Sequence, residues 1–113
     1  MGCEVEYTNE FEQWWNGLTE DAQEDVAAVV ELLERKGPLL PFPFSSSVEG
    51  SRSGKLRELR IQHKGEPYRV LYAFDPRRAA LLLIGGCKTG DDRWYVTHIP
   101  LADRLFEEHL CSL

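Results

Sequence analysis

Val5 and Tyr7 alternate with Glu4, Glu6 and Thr8, the period-two pattern of a half-buried strand. Past Thr8 the period lengthens. Phe11, Trp14, Trp15 and Leu18 recur at three and four residues, predicting a short helix capped by Thr8 or Asn9 and ending near Gly17. Thr19 is a good cap for a second helix, Glu20 and Asp21 suit its positive end, and Ala22, Val26, Val29, Val30 and Leu33 form one apolar stripe. Lys36, Gly37 and Pro38 stop that helix, so the pair reads as a helical hairpin with its acids in water. From Gly37 to Gly54, Pro38, Pro41, Pro43, the serines Ser45 to Ser47 and three glycines predict a long loop with no regular element.

Strands follow: Lys55 to Gln62, Pro67 to Asp75 and Ala79 to Cys87, joined by two short turns into an antiparallel meander. Ala79 to Ile84 is apolar on both faces, which places that strand inside the sheet and covered on both sides. Asp91 to Thr97 reads as a polar crossover. Pro100 suits a helical first turn, and Leu101, Leu105, Phe106 and Leu110 form the stripe of a closing helix. The order strand, helical hairpin, three-stranded meander, helix predicts one α+β domain over residues 1–113, with helices packed on a small, mostly antiparallel sheet.

Composition narrows the class. No apolar run approaches the ~20 residues that cross a bilayer, and the start Met1-Gly2-Cys3-Glu4 lacks the basic and apolar stretches of a secretory signal, so a cytoplasmic protein is expected. Cys3, Cys87 and Cys111 are expected as reduced thiols. The net charge of −6 argues against indiscriminate nucleic-acid binding, yet it is unevenly spread. Residues 1–36 carry −8 and residues 52–93 carry +5, which points to an anionic partner or a solvated face for the basic half.

His63, Cys87, His98 and His109 match no metal-ligand spacing, and Gly85, Gly86 and Gly90 lack that of a phosphate-cradling loop, so no metal or cofactor is expected. Cys87 reads more readily as a strand-end residue than as a nucleophile, and Asp91 with Asp92 as turn formers rather than an acid–base pair. The basic residues lead further. Alternation puts Arg57 on one face with Lys55, puts Arg60 on the other with Leu56 and Glu58, and leaves Arg69 in mid-strand. An arginine there needs a partner: a phosphate for its planar fork, or Glu58 in a cross-strand ion pair.

Lys55-Leu-Arg57-Glu-Leu-Arg60, Tyr68-Arg69-Val-Leu-Tyr72, Leu83-Ile-Gly-Gly-Cys-Lys88, Trp94-Tyr95 and Ile99-Pro100-Leu-Ala-Asp-Arg104 resemble RelE/HigB-type toxins of bacterial type II toxin–antitoxin systems. The resemblance implies an endoribonuclease that cuts mRNA on the ribosome by attack of a 2′-hydroxyl on the adjacent phosphate, neutralised by a cognate antitoxin. It assigns catalysis to Arg69, Lys88 and Tyr95 and matches Lys55 and Arg57 loosely to the family's basic second strand; Lys55, Arg57, Arg60, Arg93 and Trp94 are the expected RNA contacts. His63 and His98 are alternative proton handlers, and Trp94 either stacks on a base or caps the core. Thr89, Cys87 and the acidic body depart from the family pattern. Two other readings stay open: a gyrase-directed toxin of the ParE branch, and a degenerate interaction module. The antitoxin has two docking faces to choose from, the basic strands or the acidic hairpin, and Trp14, Trp15 and the valines favour the hairpin.

Overall fold

The computed structural model describes residues 2–91 and 93–113, leaving Met1 and the predicted turn residue Asp92 outside the described residues. Its elements are β1 (Val5–Tyr7), α1 (Asn9–Asn16), α2 (Glu20–Lys36), a 3-10 turn (Gly37–Leu39), β2 (Ser45–Ser47), β3 (Arg57–His63), β4 (Glu66–Phe74), β5 (Ala80–Cys87) and α3 (Trp94–Cys111). The sheet runs β1-β5-β4-β3-β2. The meander is antiparallel, and β1 joins it in parallel along β5.

Both helix caps are the predicted ones. Thr8 accepts from the Phe11 N–H at 3.0 Å and donates to the Leu83 carbonyl at 2.6 Å, which ties α1 to β5. Thr19 accepts from the Ala22 N–H at 3.2 Å, and Gly37, at φ 54°, ends α2 in the left-handed backbone that glycine adopts freely. The α2 stripe then packs as its spacing requires: Ala22, Val26, Val29 and Leu33 are buried.

Each face of the sheet has its own core. Phe11, Val26 and Leu33 of the hairpin pack on Leu59, Val70, Tyr72 and Leu82. On the opposite face, Trp94, Ile99, Ala102, Leu105 and Phe106 of α3 pack on Leu71, Ala73, Leu81 and Leu83. The inner, doubly covered position predicted for β5 is therefore what the structure has.

Two expectations need correction. The loop after Gly37 contains both the 3-10 turn and β2, whose serines pair with Arg57, Glu58 and Leu59 of β3. Three serines carry no apolar alternation; what holds them is pairing plus the hydrogen bond of Ser45 Oγ with Tyr72 Oη, 2.6 Å. Likewise α3 begins at Trp94 rather than at Pro100, which stands inside the helix. There Pro100 leaves the carbonyl one turn back without an intrahelical donor, and burial of Trp94 and Ile99 offsets that loss.

Candidate active site

The β3–β4 register sets Arg60 opposite Arg69 and Glu58 opposite Leu71, so Glu58, Arg60 and Arg69 share the α3-facing side. In turn Arg69 lies opposite Gly86 of β5. A Cβ at Gly86 would overlap the Trp94 indole at Nε1, so the bare glycine is what lets Trp94 approach the sheet this closely. With Trp94 seated, the next residue of α3 is delivered over β3. Tyr95 Oη donates to Glu58 Oε1 at 2.5 Å.

Glu58 is the hub of the cluster. Its Oε1 lies 3.6 Å from Arg69 Nε, and its Oε2 accepts from Ser46 Oγ at 2.7 Å and from Arg60 Nη1 at 3.3 Å. The side chains of Glu58 and Arg69 are each 6% exposed. Arg69 Nη1 donates to the Tyr68 carbonyl at 3.0 Å, while its Nε–H is buried without a hydrogen-bond partner. Lys88 closes the group, its Nζ 4.8 Å from the centre of the Tyr95 ring, a cation–π contact.

Burial first, and then the Glu58 carboxylate, push the Tyr95 phenol above its ordinary pKa, with Arg69 pulling the other way. Tyr95 is therefore a neutral hydroxyl at physiological pH. An open cleft of about 390 Å³, lined by Ser47, Val48, Glu49, Glu58 and Tyr95, leads to this hydroxyl. The arrangement supplies what phosphate chemistry needs: fixed cations, a hydroxyl that can donate and accept, and a carboxylate able to take a proton.

The structure thus brings Arg69, Lys88 and Tyr95 together, and Arg60 joins them through Glu58. Other expected RNA contacts fall elsewhere. Arg57 lies on the hairpin side, its Nε donating to Ser45 Oγ at 3.1 Å. Lys55 is exposed before β3, and Arg93 is exposed at the N-terminal end of α3. Of the two readings of Trp94, a stacking surface for RNA or a core residue, the structure has the second: it is 2% exposed, in a slot that Gly86 opens, so it is not available as an RNA contact. His98 stacks on Trp94 at 4.3 Å, and its Nδ1–H donates locally to the Trp94 carbonyl at 2.8 Å. His63 pairs with Asp25 of α2 at 2.6 Å. Neither histidine touches the cluster.

The sequence pointed to Glu58 only as an ion-pair partner, and Ser46 not at all. The available signal was an acid in mid-strand flanked by Arg57 and Arg60, on the same face as a second strand's arginine. A different acid cluster also forms: Glu6, Asp75 and His109 place ligand atoms within 4.8 Å of one another. Arg77 already supplies their cation, at 2.8 Å from Glu6 and 2.6 Å from Asp75.

Residues 13–107 match the family described as Phage derived protein Gp49-like (DUF891). The chain belongs to this family. It is 42% identical over 102 residues to HigB3 of Mycobacterium tuberculosis (strain ATCC 25618 / H37Rv), named as a candidate toxin, covering 89% of this chain and 88% of that protein. To HigB2 of the same organism, also named as a candidate toxin, it is 43% identical over 101 residues, and there the chain spans half of the relative's length. Among solved structures, the archaeal RelE–RelB complex from Pyrococcus horikoshii OT3 matches with TM-score 0.58 and 18% identity, over 80% of this chain and 99% of that one. A mutant of the E. coli toxin RelE in the free state matches with TM-score 0.61 and 9% identity, over 100% of this chain and 99% of that one. These structures share the fold. The RelE/HigB resemblance and the α+β class read from the sequence are both upheld.

Proposed function

We propose that this Gp49-like protein is the toxin of a type II toxin–antitoxin pair, an endoribonuclease that cuts mRNA on the ribosome and is silenced by a cognate antitoxin. The convergence of Arg69, Lys88 and Tyr95 around the Glu58 carboxylate carries the reading. Its relatives named as HigB toxins, and solved neighbours that are RelE toxins or their complexes, agree with it.

The geometry supports the following cleavage. The ribose O2′ forms a bond to phosphorus as the P–O5′ bond breaks, leaving a 2′,3′-cyclic phosphate and a 5′-hydroxyl. The proton of the 2′-hydroxyl passes to Tyr95 Oη while the phenolic proton moves to Glu58 Oε1, so no tyrosinate has to form. Arg69 and Lys88 hold the charge growing on the phosphoryl oxygens, and Lys88 protonates the departing O5′. A chain of net charge −6, with Arg57 turned to the other face, has few phosphate contacts of its own, so the ribosome presents the mRNA.

Mapping transcript 5′ ends in cells after induced expression tests this. New ends bearing 5′-hydroxyls within translated frames are expected, and they should disappear on co-expression of the antitoxin. Growth arrest with intact transcripts would overturn the assignment.

A further inference from the structure

On the sheet face opposite the Glu58 cluster, an open groove of about 470 Å³ runs between α1 and α2 over β1. Its floor and walls include Tyr7, Phe11, Trp15, Val30 and Leu82. Tyr7 is 57% exposed, and Trp15 and Val30, though packed against the hairpin-side core, are only partly covered, so the monomer leaves apolar surface here. Trp14, one residue before, does belong to the monomer: it packs on Gly85, where a Cβ would overlap its ring. Trp15 packs against the same core, stacked on Phe11 at 6.4 Å, and the part of its ring left uncovered lines the groove.

The rim is acidic. Glu12 from α1, and Glu31 and Glu34 one turn apart on α2, line the groove; no Lys or Arg does. Among the described residues none of the three acids is held in an ion pair. An apolar trough with an uncompensated acidic border selects its occupant by charge as well as by shape.

We infer that this groove docks a basic amphipathic helix, with apolar residues at i, i+3, i+4 and i+7 seated on Trp15, Tyr7 and Val30, and Lys or Arg facing Glu12, Glu31 and Glu34. A helix fits because two helices form the walls, giving ridges for its side chains to enter. The identity of the partner, a segment of the antitoxin, rests on the toxin reading above; the groove and its chemistry do not. An antitoxin held here grips the protein on the side away from Arg69, Lys88 and Tyr95, leaving the rest of its chain to reach the catalytic face.

The test uses the full chain and two synthetic peptides of helical spacing, one built of Leu and Lys, the other of Leu and Glu. The Leu/Lys peptide is expected to bind, with affinity falling as salt rises, and to protect amides in residues 5–16 and 26–34 from hydrogen exchange. Combined Glu31→Lys and Glu34→Lys, both at exposed positions, should weaken that peptide about tenfold or more and admit the Leu/Glu peptide. Val30→Glu should abolish binding of the Leu/Lys peptide. Reversing Glu20 and Glu24, which lie outside the groove, should leave affinity within about twofold. Transcript cleavage by all these variants should equal that of the parent, which separates this proposal from the catalytic one. Protection confined to the backbone of Val5–Tyr7 would mean strand addition at the sheet edge and overturn the helix. Equal binding of the Leu/Lys peptide by the Glu31→Lys, Glu34→Lys variant would overturn the groove.

Discussion

Glu58 and Arg69 meet diagonally across β3 and β4, 3.6 Å apart and both withdrawn from solvent. Among the described residues Glu58 is the one ion-pair partner of Arg69, whereas Glu58 itself is also served by Tyr95, Ser46 and Arg60. Removing Glu58 strands the Arg69 charge in the interior, at a cost of about 3–5 kcal/mol. The arginine best placed to bind a phosphate is therefore also a structural counter-ion, and the two roles require separate measurement.

Arg69→Ala is expected to abolish toxicity and also to lower the unfolding free energy by about 1–3 kcal/mol, since Arg60, Ser46 and Tyr95 still serve Glu58. The paired neutral substitution, Arg69→Met with Glu58→Gln, should recover most of that stability and remain non-toxic. Urea unfolding alongside growth assays checks both. A stable but still toxic double variant would remove Arg69 and Glu58 from catalysis.

Tyr95→Phe keeps the ring under Lys88 and removes only the hydroxyl that donates to Glu58. Because Ser46, Arg60 and Arg69 still serve the carboxylate, stability should fall by about 1–2 kcal/mol, while cleavage drops roughly 10²–10⁴-fold. Single-turnover cleavage on programmed ribosomes reads the second effect. A loss no larger than the change in folded fraction would reduce Tyr95 to a packing residue.

Gly85 and Gly86 face opposite layers, one against Trp14 and the other against Trp94. Alanine at either should cost about 1–3 kcal/mol, since the indole it meets must shift. The effects on activity should differ. Gly86→Ala lifts Trp94 and with it Tyr95 from Glu58, whereas Gly85→Ala disturbs the hairpin side alone. Matched melting temperatures with unequal cleavage would bear this out; equal cleavage would show that Trp94 does not position Tyr95.

Such relationships explain what the sequence could and could not reveal. Thr8, Thr19 and the stripe from Ala22 to Leu33 act within a few residues of one another, so caps and periodicity made the hairpin legible. Arg69 stood out because an arginine in a doubly covered strand demands a partner. Ser45 to Ser47 form a strand only through pairing with β3, and no local pattern records that. Pro100 outweighed Trp94 as a helix-start signal because the reason for Trp94's burial, Gly86, lies on another element. Glu58 and Tyr95 are 37 positions apart, and only the strand register and the seating of α3 bring them together.

Acid should loosen the far end of α3. The Asp75 side chain is fully buried, and burial alone would raise its pKa; hydrogen bonds from Arg77, His109 and the backbone N–H groups of Ala79 and Arg77 outweigh that and hold it down to about 2. A carboxyl depressed from the ordinary 3.8 to about 2 contributes stability that is fully present above pH 4 and is lost as pH falls through 2. The amount is about 2 kcal/mol. Asp75→Asn removes the titration while keeping the shape, so the variant should be less stable than the parent at pH 6, with the gap narrowing by about that amount at pH 2. Asp103, also held low against burial by Ser51, Ser53 and the Arg52 N–H, titrates in the same direction in both proteins and so cancels from the comparison. Urea unfolding of parent and variant at intervals from pH 6 to pH 2 measures the difference. A gap that stays constant across that range would mean that the Asp75 carboxylate is no better held in the folded chain than in the unfolded one, and that the clasp between α3 and the β4–β5 turn derives its strength from packing rather than charge.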